Sequence, residues 1–356
     1  MRRAILLAII LGLSIAVVAI PMSDVSARAA APRQQQQSTT PPAQQGQQAP
    51  ANPNNVQISV SSNVVNVDAV VTDNEGNFLR DLKKENFRIL EDGKPQIITN
   101  FTAAGEAPIT IVMLLEFRSS MATWNFTAMV ARYWAPEFLR NLKKDDWIAL
   151  EDFDLHMRVD VDFTHDPNEV MDALQHMQVP LFSEACIFDA LTETLDRVHD
   201  VKGKKAILVL ATGFDTFSKH TLDDTLKIVK KSDVSIYSIG LTQIFQNSFG
   251  TIGNINAQQA QNQLRAFAEL TGGNVWNPNF TAEVPEIMRD VATSLRSQYS
   301  LGFAANNLDG KYHKIKVELV APDGGPLTVM NQKGKKVKFQ VYSREGYTAS
   351  KPTVGD

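Results

Sequence analysis

Three stretches of the chain are apolar with almost no interruption: residues 109–115 (ITIVMLL), 205–211 (KAILVLA) and 234–240 (VSIYSIG). Runs of this length without polar alternation predict strands buried on both faces, the condition of a parallel sheet covered by helices. Between and after them, apolar residues recur at helical spacing. Residues 123–142 place Trp124, Met129, Trp134, Phe138 and Leu142 on one stripe, and 167–177, 184–199 and 222–231 also read as helices. Residues 257–270 predict a helix stopped by Thr271-Gly272-Gly273, followed by a short strand at 274–276. The last helix, 281–298, carries Val284, Ile287, Met288, Val291 and Leu295 on one face. Residues 147–153 (WIALEDF) and 157–163 (MRVDVDF) predict an antiparallel hairpin at a sheet edge. This alternation predicts an α/β fold with a doubly wound, mostly parallel sheet, and places ligands at the carboxyl ends of its strands.

On either side of that region the period changes to two. Val65, Val67, Ala69 and Val71 alternate with Asn66, Asp68 and Val70, with turns at 73–77 and 91–95 and a short polar helical turn at 82–87. Beyond the last helix, 299–303, 313–320 and 336–342 alternate again, separated by turns at 307–310 and 322–325. Neither flank has enough strands for its own core. One β-sandwich built from the N- and C-terminal strands, with the α/β unit inserted in it, is therefore expected over two independent β modules. The expected boundaries are 56–104 and 297–348 for the two parts of the β domain and 107–296 for the α/β domain.

The amino terminus obeys a different logic. Arg2 and Arg3 precede an uncharged apolar core at 4–20, and small-residue cleavage patterns end at Ala27 and Ala29. Residues 1–27 therefore read as an export signal, the alternative being an uncleaved single-span anchor and the only route to a membrane. Residues 28–55 are dominated by Gln, Pro, Ala and Asn and read as a disordered linker. The rest of the chain is then expected outside the cytoplasm, periplasmic or secreted.

Composition excludes more than it assigns. A net charge of −4 gives nucleic-acid binding no electrostatic footprint. One cysteine, Cys186, excludes an intramolecular disulfide framework and a thiolate-rich zinc site, and its apolar neighbours read it as a small buried hydrophobe. The six histidines show no HExxH or paired i, i+4 spacing. Ser119-Ser120 lacks the glycines of a nucleophile elbow. Glu151, Asp152 and Asp154 straddle the predicted edge hairpin, where carboxylates act more often against edge pairing than in catalysis.

Residues 107–296 resemble a von Willebrand factor A-type domain, and the whole layout resembles the VWFA-related family first recognised in Acidobacteria. The segments that carry this are IVMLLEFRSSM (111–121), the hairpin ending Val161-Asp162-Phe163-Thr164, SEACIFDAL (183–191) and KAILVLATGFD (205–215). The N-terminal VDAVVTDNEGN and LKKENFRILEDGKPQIITNF runs and Arg344-Glu345-Gly346-Tyr347 resemble that family's flanking β regions.

The resemblance implies a metal-ion-dependent adhesion site. Its pattern is Asp-x-Ser-x-Ser after the first strand, a Thr from a second loop and an Asp after the central strand. Here those positions carry Glu116, Arg118, Ser120, Ala185 and Thr212, so only the second Ser is kept. The simplest reading is that Arg118 replaces the cation and pairs with Glu116, while Asp215 is either a substitute ligand or a second partner for Arg118. Ordinary loop charges at Glu116 and Arg118 are the bland alternative. No cofactor is expected; were Mg or Mn bound, Glu116, Ser120 and Asp215 are the oxygens left to hold it. The resemblance thus implies a non-enzymatic interaction or adhesion module binding an unidentified protein through Glu116, Arg118, Ser119, Ser120, Glu184, Thr212 and Asp215. The alternative is an envelope scaffold in which the β domain makes the contacts.

Overall fold

A computed structural model describes residues 64–119, 129, 133–178, 180–249, 254–330 and 336–351. The apolar leader, the linker, residues 56–63, Ser120 and most of the helix expected at 123–142 lie outside the described residues.

Three sheets organise the chain. The first two are antiparallel and mix strands from both ends of the sequence. Strand β1 (Val64–Asp73) is followed by β2 (Phe87–Glu91), β3 (Lys94–Gln96) and β4 (Ile98–Thr102). The third sheet contains β5 (Ile109–Glu116), β6 (Trp147–Phe153), β7 (Met157–Thr164), β8 (Lys204–Ala211), β9 (Ser235–Gly240) and β10 (Val275–Trp276). The chain returns to the antiparallel sheets through β11 (Tyr299–Ala304) and β12 (Tyr312–Leu319). After a two-stranded ribbon of β13 (Val329–Met330) and β14 (Lys336–Val337) come β15 (Phe339–Ser343) and β16 (Gly346–Thr348).

The first antiparallel sheet has the order β15-β1-β11-β4 and the second β16-β12-β2-β3. Alternation explains their packing: Val67, Ala69 and Val71 from β1, Leu301 and Phe303 from β11, Ile89 from β2 and Ile315 and Val317 from β12 share one buried cluster. Every ladder except the β2–β3 hairpin joins an N-terminal to a C-terminal strand or two C-terminal ones. The Asp92-Gly93 turn of that hairpin has φ of 48° and 81°, the paired left-handed residues a two-residue hairpin demands.

The six-stranded sheet has the order β10-β9-β8-β5-β6-β7, parallel except for the antiparallel β6–β7 edge pair. Its apolar strands serve both faces. Ile111, Met113 and Leu115 of β5 join Leu208 and Leu210 of β8 on one side; Val112 and Leu114 join Ile207 and Val209 on the other. The first side is covered by α1 (Ala135–Leu139), α2 (Pro167–His176), α5 (Thr242–Phe249) and α7 (Val284–Arg296). The second is covered by α3 (Ile187–Arg197), α4 (Leu222–Lys231) and α6 (Asn254–Thr271). Each fully buried aliphatic side chain in these layers contributes about 1.5–3 kcal/mol over exposure.

Three elements differ from the sequence expectation. Helix α3 starts at Ile187 rather than residue 184, because the backbone of Ala185 is committed to Thr216. Helix α5 is an addition to the expected elements; its Ile244 and Phe245 sit in the first-side cluster. The strand expected at 336–342 is divided into β14 and β15. A buried charge network joins the two-sheet unit to the α/β unit. Lys204 Nζ donates to the Gln298 carbonyl at 3.0 Å, and burial lowers its pKa against the raising influence of Asp68. Among the described residues no helix is long and apolar enough to cross a membrane.

Candidate partner-binding face

Strand β5 ends on Glu116, whose side chain is fully buried at the carboxyl edge of the parallel sheet. The adjacent strand β8 ends at Ala211, and the first residue of its loop, Thr212, turns back onto that carboxylate. The Thr212 backbone N–H donates to Glu116 Oε2 at 2.6 Å, and the Thr212 hydroxyl lies 2.7 Å and 3.0 Å from Oε2 and Oε1. Arg118 Nε approaches Glu116 Oε1 to 2.6 Å. This is a charge contact rather than an aligned hydrogen bond, since Nε has no hydrogen-bond geometry to any described acceptor. Arg118 Nη1 donates to the Ser183 carbonyl at 3.1 Å, and the Arg118 side chain is 17% exposed. Thr212 and Arg118 thus both engage the buried carboxylate, and burial makes either contact costly to lose.

The surrounding loops are tied to one another. Ser119 N–H donates to the Phe182 carbonyl at 2.7 Å, and Cys186 N–H to the Asp154 carbonyl at 2.9 Å. Ala185 N–H donates to Thr216 Oγ1, and Thr216 N–H to the Ala185 carbonyl, both at 2.8 Å. Glu184 is half-buried, and its carboxylate accepts from Ser183 N–H at 3.0 Å rather than from Arg118. Asp215 also stays away from Arg118. Its carboxylate accepts from the Ser218 hydroxyl, from Ser218 N–H at 3.2 Å and from Phe188 N–H at 3.3 Å at the start of α3. The structure thus brings together Glu116, Arg118 and Thr212, with Ser119 beside Arg118 on the loop after β5 and Glu184 on the loop before α3, and directs Asp215 elsewhere. Ser120 lies outside the described residues. Among the described residues, no group of three or more His, Cys, Asp or Glu side chains is arranged to hold a metal ion.

Gly213 lets the β8 loop lie against helix α6. Its φ is +84°, and a Cβ there would stand 2.6 Å from the Ala260 carbonyl oxygen. Around the buried pair, three large apolar side chains face solvent on the same loops: Leu181 (87% exposed), Phe182 (38%) and Phe217 (65%).

In the β6–β7 hairpin the carboxylates expected to act against edge pairing are drawn into ion pairs. Glu151, Asp152 and Asp154 are all buried. Glu151 accepts from Thr194 Oγ1 and pairs with Arg197, which also reaches Asp162 at 2.8 Å. Arg158 pairs with Asp152 and, at 2.7 Å, with Asp154. Asp152, Asp154, Arg158 and Asp160 line a cavity of about 460 Å³ with Phe117 and Leu181. Sequence reasoning names Asp152 and Asp154 but misses their pairing with Arg158 and the cavity they share with Asp160. A usable signal is present, since a charged residue in each strand of a two-stranded edge places Asp152 directly opposite Arg158 once the register is known.

No protein-family model matches the chain, and no curated protein matches it. Solved structures share part of its backbone course at low identity. A conserved hypothetical protein BatB from Bacteroides thetaiotaomicron aligns with 12% identity and a TM-score of 0.39 over 52% of this chain and 98% of its own. The vWF domain of the type V pili tip protein Mfa5 from Porphyromonas gingivalis aligns with 12% identity and a TM-score of 0.40, over 53% and 95%. A von Willebrand factor type A protein from Catenulispora acidiphila aligns with 10% identity and a TM-score of 0.42, over 84% and 77%. Scores of this size assign neither family nor activity.

Proposed function

We propose that this chain is an exported, non-enzymatic interaction module that binds a polypeptide partner through the loops at the carboxyl edge of its parallel sheet, without a bound cation. The observation that carries the reading is the Arg118 guanidinium lying against the buried Glu116 carboxylate. At 4 Å and an effective dielectric of about 20, each unit-charge pair is worth about 4 kcal/mol, and a dication beside a guanidinium meets twice that in repulsion. The arginine supplies the positive charge a metal would bring, and the exposed Leu181, Phe182 and Phe217 supply apolar area of the kind that anchors protein contacts. Export, to the periplasm or beyond, rests on the charge and hydropathy pattern of residues 1–27.

A second reading, a scaffold working through the two-sheet unit, is favoured by Ile97, which is 84% exposed between the short strands β3 and β4. A photo-crosslinking side chain placed at Phe217, at Leu181 or at Ile97 in the producing cell separates the two. Discrete adducts from positions 217 and 181, with none from 97, support the loop face. Adducts from 97 alone overturn it in favour of the scaffold.

A further inference from the structure

We propose that the cavity between the β6–β7 hairpin and residues 180–182 seats one basic side chain of the polypeptide partner, its cationic head held by Asp154 and Asp160. This rests on the reading of the adjacent loops as the partner-binding face and deepens it, because Phe117, Leu181 and Phe182 line the cavity and lead to Arg118.

Three observations carry the proposal. The volume, about 460 Å³, is ample for a long side chain. The charge is unbalanced: Asp152, Asp154 and Asp160 face a single guanidinium, Arg158, with His176 at the rim from α2. The neighbouring Glu151, Arg197 and Asp162 are engaged with one another and with Thr194. Most pointed is Asp154. It is 1% exposed and lines the cavity, and its Oδ1 accepts from Arg158 and His156, while Oδ2 has no hydrogen-bond partner among the described residues. A buried carboxylate oxygen left without a donor is costly, and a cationic donor entering from the cavity removes that cost. The apolar wall suits the methylene stem of a lysine or arginine.

Protons enter the same balance. Burial, and then the Asp160 carboxyl beside it, push Asp152 up to about 8. Near neutral pH the pair therefore holds a proton that an incoming cation displaces, so binding strengthens as pH rises towards 9, where a lysine remains charged.

The test uses two pentapeptides, one with a central lysine flanked by leucines and the same peptide with that lysine Nε-acetylated. Each is titrated into the protein while the amide signals of Asp154, Arg158, Leu181 and Phe217 are followed by NMR. The expected result is at least tenfold tighter binding of the free-lysine peptide, tightening further from pH 7 to 9. Asp160→Asn, on the solvent side of β7, and Asp154→Asn should each erase that preference, with the circular dichroism spectrum unchanged. Equal affinity of the two peptides, or a preference that survives both variants, overturns the proposal. If both peptides shift Leu181 and Phe217 equally, the loop-face reading stands and the cavity proposal falls. Absence of crosslinks at 217 and 181 removes the face reading itself.

Discussion

Replacing Arg118 by methionine removes a charge while keeping most of the side-chain volume. In the wild type, Glu116 is fully buried and its Oε1 has Arg118 Nε at 2.6 Å. Removing one partner of a buried pair costs about 3–5 kcal/mol, because the remaining charge stays desolvated. Arg118 is 17% exposed and Thr212 continues to donate to Glu116, so the cost falls just below that range, about 2–3 kcal/mol. For an α/β unit of this size that corresponds to roughly 4–12 °C in melting temperature. Urea unfolding of wild type, Arg118→Met, Glu116→Gln and the double variant closes a thermodynamic cycle. The double variant should recover much of the loss, since neither unpaired charge remains, giving a coupling energy of about 2 kcal/mol or more. A loss below about 0.5 kcal/mol for Arg118→Met, with additive single effects, is the behaviour of exposed loop charges and rules out a buried Glu116–Arg118 pair.

Two further outcomes test the fold around the site. Gly213→Ala places a methyl group 2.6 Å from the Ala260 carbonyl at a φ of +84°, so a loss well above about 1 kcal/mol is expected, and an unchanged unfolding midpoint contradicts the close packing of the β8 loop on α6. His313 is held between Asp92 at 2.7 Å and Asp309 at 3.1 Å, and these two hydrogen bonds raise its pKa above the usual 6.5. Its stabilisation is therefore complete below about pH 6.5 and is lost as pH rises through the raised value; in His313→Asn the stability difference between pH 6 and pH 9 should shrink, and an unchanged slope contradicts the assignment.

How far the fold is legible in the sequence depends on where the physical signal lies. Strands β5, β8 and β9 are readable because burial on both faces writes an unbroken apolar run, and α4 because Thr221 caps it and Lys230 and Lys231 end it. The interleaving of N- and C-terminal strands comes from counting strands against the core they must share. Glu116 and Arg118 stand out because they occupy positions where another pattern is expected. The cavity carboxylates do not, because the significance of Asp152, Asp154 and Asp160 depends on cross-strand register and on the fold of residues 180–182 over them. Asp215 illustrates the reverse case: its place in the loop sequence suggests a second partner for Arg118, yet a serine three residues on and a helix start compete for the same oxygens.

If Arg118 supplies the positive charge at this face, as proposed, the domain needs no cation there. Thermal melting of the wild type and of Arg118→Ser, each titrated with magnesium, manganese and a chelator at constant ionic strength, tests it most directly. The expected result is a wild-type midpoint unmoved by either cation and by the chelator. A saturable rise in the wild-type midpoint contradicts it, since a cation at a hundredfold excess over its Kd stabilises the protein by about 2.7 kcal/mol, well within reach of the measurement.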